Sequence, residues 1–243
     1  MRLSKALTVA SKDFKIFTRN KSILYSIIGF EVLISIGLPL IILFVSRKPA
    51  GSAVLSYLIN SLSFWFVMGV AILPTAIASY SLVGEKIQKS LEPLLATPTT
   101  DEEILAGKAI AAFVPAMAAN YLGAALYMLF IDIFTANKLG YLYYPNGVIA
   151  ISLLLLAPLT CILSIGYNVL VSSRSNDTRA AQQVGALIIL TFGAIYVLLE
   201  INVLPLTTIN LLIMSAALLV IDVIVLYMAI ATFQREEILT EWK

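Results

Sequence analysis

Residues 148–171 read VIAISLLLLAPLTCILSIGYNVLV, twenty-four positions without one Asp, Glu, Lys or Arg. About 20 apolar residues suffice to cross roughly 30 Å of hydrocarbon, so this run is long enough to span a bilayer. Lipid offers no partner for free N–H and C=O groups, and such a run is therefore expected to be helical. Working outward, five further apolar runs of similar kind lie at 22–46, 54–83, 109–135, 184–201 and 210–232. None shows the period-two alternation of a transmembrane barrel.

The composition agrees. Of 243 residues 60% are hydrophobic and 12% charged, and the mean hydropathy is +0.96, values that belong to polytopic membrane proteins rather than soluble domains. The expected fold is all-α, a polytopic membrane protein with six transmembrane helices. An amphipathic interfacial helix at 1–21 precedes a single transmembrane domain at 22–243, whose charged loop at 84–108 lies between the second and third spans. The first apolar run has about 25 residues behind a basic segment and no small-residue cleavage site. A signal peptide needs only about 7–15 apolar residues, so this run is expected to be retained.

Thirteen of the sixteen Lys and Arg residues fall on one side of the six spans and three on the other. The positive-inside rule then places both termini in the cytoplasm of a multi-pass protein of the cell membrane. The net charge of +2 gives no ground for a nucleic-acid partner, and the basic N-terminus is suited to anionic lipid. There Leu3, Ala6, Leu7, Ala10, Phe14 and Phe17 recur at helical spacing, with Lys5, Lys12 and Arg19 on another face. This pattern predicts a helix lying in the membrane interface, anchored by Phe14 and Phe17. The alternative is a helix leaning on protein.

Histidine is absent, which excludes Ser-His-Asp and Cys-His catalysis, HExxH zinc sites and any imidazole relay. Cys161, the single cysteine, forms no intrachain disulfide and reads as packing. No catalytic residue and no metal site are assigned.

Residues 84–108, GEKIQKSLEPLLATPTTDEEILAGK, are the one long charged island. Ser90 is suited to cap a short helix on which Leu91, Leu94 and Leu95 share a face, with Pro93 in its first turn. Thr97 and Pro98 end it, and Thr100–Glu103 has the pattern of a capping box leading into the third span. A smaller loop at 172–183 carries Arg174, Asn176, Asp177 and Arg179, with Ser175 or Asn176 suited to cap the fifth span. Tyr141, Tyr143 and Tyr144 read as an aromatic belt at the mouth of the fourth span. Pro39, Pro74, Pro115 and Pro158 lie inside four successive spans and predict kinks. In the third span Ala112, Ala116 and Asn120, and Ala119 and Gly123, recur every four residues and permit close approach of another helix.

The segment VGEKIQKSLEPLLATPTTDEEILAGK at 83–108 resembles the first cytoplasmic loop of type 2 ATP-binding-cassette permeases, the export-type membrane subunits. The residues that carry the resemblance are Gly-Glu-Lys at 84–86, Leu-Glu at 91 and 92, Leu-Leu-Ala-Thr-Pro at 94–98, the acidic turn, and Gly107-Lys108. The basic amphipathic N-terminus, the six spans and the 173–181 loop are similar too. The resemblance implies a second permease subunit, identical or related, and a separate cytoplasmic ATPase gripped through a coupling helix near 90–98. Glu85, Lys86, Lys89, Leu91, Glu92, Pro93, Leu94, Leu95, Thr97, Pro98, Asp101 and Glu102 would form that contact, with Arg174 and Asp177 as a second point. The chain lacks a G-x-x-x-x-G-K-[ST] loop, so ATP and Mg would be held by the partner and no cofactor by this chain.

Ionisable groups inside spans are functional candidates by default. Glu31 and Asp222 lie near the middle of spans, Asp132 and Glu200 near outer ends. A central acid costs about 3 kcal/mol against roughly −0.5 for each apolar residue, so both central helices still insert. Glu31 and Asp222 line a translocation path for a cation or amphipathic cationic drug, with Asn120, Tyr121 and Asn168 as weaker candidates beside Asn60 and Thr160, or titrate during transport, or hydrogen-bond across helix interfaces as protonated acids. An ion-coupled secondary transporter or channel using Glu31 and Asp222 is the alternative to an ATP-driven exporter. An intramembrane hydrolase is disfavoured, because neither Asp222 nor Asp132 has an evident catalytic partner.

Overall fold

The computed structural model describes residues 3–47, 51–87, 99–175, 177–201 and 203–232, with backbone alone at 76, 79–87, 174 and 178. Among the described residues there is no strand, and six helical segments are long and apolar enough to cross a membrane. The chain is a multi-pass, all-α membrane protein.

Helix α1 (Leu3–Arg19) buries Ala6, Val9, Ala10, Asp13 and Phe17, a stripe at three- and four-residue spacing that packs on protein. Leu3, Leu7 and Phe14 stay exposed. Both expected surfaces therefore exist, but Phe17 anchors α1 to the bundle rather than to lipid. Helix α2 (Lys21–Ser46) buries one stripe through Ile23, Ile27, Glu31, Ile34, Ser35, Pro39 and Ile42. Its other sides are left uncovered by the chain, with Leu33 at 69% exposure.

The second span, expected as one helix at 54–83, is crossed by α3 (Ser52–Ser63) and the start of α4 (Trp65–Ile87). They are separated at Phe64. No proline causes the break. The Ser63 hydroxyl donates to the Asn60 carbonyl at 2.6 Å, Phe64 N–H donates to Ser61 O at 3.1 Å, and Phe64 O accepts from both Val67 and Met68. Side-chain and three-residue bonds thus replace the regular ladder.

Helix α5 (Asp101–Leu139) is continuous for 39 residues, about 58 Å at roughly 1.5 Å per residue. Its start is the expected capping box: Glu103 N–H donates to Thr100 Oγ1 at 3.3 Å and Thr100 N–H to Glu103 Oε2 at 3.1 Å. Its end is Gly140 at φ 77°, in the left-handed region, whose N–H donates to Ala136 O at 2.8 Å. Glycine reaches that conformation without the Cβ clash that burdens other residues. Pro115 lies within α5 without breaking it.

The fourth span joins α6 (Gly147–Ile151), a π-helical turn at Ser152–Leu156, and α7 (Ala157–Arg174). The wide turn ends two residues before Pro158, whose missing N–H and ring bulk disfavour regular α pairing one turn back. The fifth span runs through α8 (Thr178–Ala186) and α9 (Ile188–Glu200), and the sixth is α10 (Thr208–Thr232). The cap of α8 is Asp177, which accepts from Arg179 N–H at 3.0 Å, in place of the expected Ser175 or Asn176. An ionised carboxylate also favours a helix N-terminus electrostatically.

Among the described residues the buried core forms three clusters. One joins Phe17, Ile27, Ile77, Ala112 and Cys161, a second centres on Ile34, Phe66 and Tyr127, and a third on Phe64, Phe192 and Leu218. The tyrosines after α5 belong largely to the second. Tyr141 is exposed, but Tyr144 is buried and its ring lies 5.9 Å from that of Tyr127. Tyr143 hydroxyl donates to Ser56 O at 3.0 Å and Tyr127 hydroxyl to Ile59 O at 2.9 Å. Burial raises the pKa of the Tyr143 and Tyr144 hydroxyls, so both remain donors at neutral pH. Tyrosine amphipathicity is used here to pin α3 rather than to form a headgroup belt.

Candidate functional site

The first candidate site is where α1 crosses the base of α5. Gly107 allows the crossing: a Cβ there would lie 2.6 Å from Ala6 O and 2.7 Å from Val9 Cβ. One residue on, Lys108 Nζ donates to Asp13 Oδ2 at 3.2 Å, with side chains only 3% and 6% exposed. Glu103, already part of the cap, lies 4.0 Å from Lys5 Nζ. Two backbones in contact and a buried ion pair thus fasten α1 to the base of α5. Breaking such a pair by removing one partner strands a buried charge.

Asp101 and Glu102 occupy the first turn of the same rod, Asp101 half-buried and Glu102 exposed. Asp177, exposed, caps α8 as described. Glu85 and Lys86 fall in the last turn of α4 and Arg174 at the end of α7, with their side chains undescribed. Lys89, Leu91, Glu92, Pro93, Leu94, Leu95, Thr97 and Pro98, and with them the expected coupling helix, lie outside the described residues.

The second candidate site is at mid-membrane. Glu31 is 5% exposed and Ser35 1%, one turn apart on α2. Both face a notch at Gly123 of α5, where an added Cβ would overlap the Glu31 carboxylate and lie 2.8 Å from Ser35 Oγ. A Cβ on Gly69 of α4 would stand 3.8 Å from Glu31 Oε1, so the carboxylate occupies a junction of three helices. Neither Glu31 oxygen, nor Ser35 Oγ, has a hydrogen-bond partner among the described residues. Asn120, three residues before Gly123, is fully buried with its amide likewise unpartnered.

Asp222 on α10 is also buried and without a hydrogen-bond partner among the described residues, within electrostatic range of Cys161 on α7. It belongs to a different junction from Glu31. Tyr121 donates to Leu153 O at 3.2 Å, capturing a carbonyl of the π-helical turn. Asn168 donates to Ser164 O at 2.8 Å, and its amide lies against Gly185 of α8, where a Cβ would collide with it. Thr160 is buried without a hydrogen-bond partner among the described residues. Near the ends of their spans, Asp132 Oδ1 accepts from Tyr143 and Tyr144 N–H at 2.8 and 3.0 Å, and Glu200 accepts from Ser61 Oγ. Those two acids are thereby satisfied in place, unlike Glu31 and Asp222.

Sequence reasoning missed the Asp13–Lys108 pair. A signal was present: Asp13 falls between Val9, Ala10 and Phe17 on the apolar stripe of α1, and an acid there demands a buried cation. No family model and no curated protein matches the chain.

Proposed function

We propose that this chain is the membrane subunit of an ATP-driven exporter, a permease that moves a substrate out of the cytoplasm through the cell membrane. It works beside a second permease subunit and is driven by a separate ATPase carrying ATP and Mg. The observation that supports this most directly is mechanical. The charged island, which resembles the ATPase-docking loop of type 2 ATP-binding-cassette permeases, runs straight into α5, and α5 continues unbroken for 39 residues. A rigid helix of this kind carries a displacement at Asp101 across the bilayer without loss at a hinge. The buried Asp13–Lys108 pair makes α1 move with it. In this reading both termini and the 84–108 loop face the cytoplasm, and the chain itself performs no covalent chemistry.

The test is co-purification with the ATPase subunit. Leu94→Asp/Leu95→Asp is expected to abolish complex formation and nucleotide-driven transport while leaving the six-span fold intact. Unchanged complex formation removes the docking site from this segment.

Glu31 and Asp222, buried and without hydrogen-bond partners among the described residues, favour a second reading, an ion-coupled transporter or channel. Flux in proteoliposomes containing this chain alone, sustained without nucleotide and lost with the ion gradient, would establish it over the first.

A further inference from the structure

A groove of about 450 Å³ runs along the membrane-facing seam between α2 and α5, from Phe14 and Phe17 of α1 past Glu31 to Leu126. Its volume lies in the roughly 300–1,000 Å³ range of small-molecule sites. The walls are apolar and open sideways: Ile28, Val32, Leu122 and Leu126 are all exposed. Glu31 and Ser35 are its buried polar lining, and no Lys or Arg lines it. A groove of similar volume, about 410 Å³ between α7, α9 and α10, contains no carboxylate, so the Glu31 groove is chemically distinct rather than a general result of loose packing.

We infer that this groove is a binding site for a compact lipophilic primary ammonium that arrives from the bilayer. Three buried oxygens have no partner among the described residues: Glu31 Oε2 and Ser35 Oγ lie at the Gly123 notch, and Glu31 Oε1 lies toward Gly69 of α4. With Glu31 ionised by the incoming cation, they form an acceptor set that an R–NH3+ group, with three N–H donors, matches in charge and number. The apolar body of the ligand then rests against Val32, Ala118 and Leu122. A bare divalent ion fits less well, because hard cations take about six to eight oxygens and this set offers three. The lateral opening sets the route, since a charged amine with a small apolar cage partitions into the membrane before it meets Glu31.

The site stands apart from the identity of the energy source, and its test uses the full chain alone in phosphatidylcholine nanodiscs without nucleotide. Equilibrium dialysis of radiolabelled 1-adamantanamine is expected to show a saturable component that Glu31→Gln weakens about tenfold or more. Glu31→Asp is expected to retain most of it. Ala118→Trp, an exposed position on the groove wall, is expected to abolish the component by filling the groove with Glu31 untouched. The shape-matched alcohol 1-adamantanol is expected not to compete. Undiminished saturable binding in Glu31→Gln overturns the inference, as does equal competition by the alcohol. So does an Ala118→Trp chain that binds the amine normally but changes its self-association, which would make the groove a contact between copies.

Discussion

Two buried charged sites in this molecule meet the same physical cost in opposite ways. At the base of α5, Asp13 and Lys108 leave water together and bond at 3.2 Å. At mid-membrane, Glu31 is as deeply buried as Asp13 but has no partner among the described residues. A paired buried charge specifies how two helices meet, whereas an unpartnered one leaves free energy available to a ligand. The first site therefore reads as a joint and the second as a binding position.

The joint is the place where substitution should cost most. Asp13→Leu or Lys108→Leu alone is expected to destabilise by about 3–5 kcal/mol, and the double replacement to return to native stability or above. Denaturant unfolding in detergent measures all three. If the single variants unfold like the parent chain, the pair holds nothing and the contrast fails. Next in size is Gly107→Ala, where the new Cβ meets Ala6 O at 2.6 Å. Overpacking of this kind costs about 1–3 kcal/mol, and limited proteolysis of α1 should quicken as the crossing loosens. The smallest effect is expected at the other site: Glu31→Gln should leave stability unchanged or raise it by about 1 kcal/mol, because it removes an uncompensated burial cost. A large stability loss there would mark Glu31 as a second joint and dissolve the distinction.

Much of the architecture was readable in advance from periodicity and hydropathy alone. The six spans, the amphipathic α1 and the Thr100–Glu103 cap depend on residues near one another in the chain, so local pattern suffices to predict them. Tyr144 was misjudged for a related reason. Its amphipathic ring suits a headgroup belt equally well, and only the approach of Tyr127 and the Ile59 carbonyl draws it inward. The cap of α8 shifted to Asp177 because three adjacent polar residues compete for one helix start, and sequence pattern does not rank them. The break at Phe64 goes with the Ser63 hydroxyl bonding the Asn60 carbonyl, a choice invisible in hydropathy.

By itself the sequence determined that the chain lives in lipid as helices, because backbone polar groups there have no other partner. It also determined that four acids sit at depths where each demands an explanation. Which acids are satisfied was decided by tertiary structure alone. Asp132 and Glu200 find donors at helix ends, Asp13 finds a lysine 95 residues away, and Glu31 meets a glycine notch beside an open groove. Pairing of a charge depends on which helix crosses which and at what height, and that geometry arises only when the whole bundle packs.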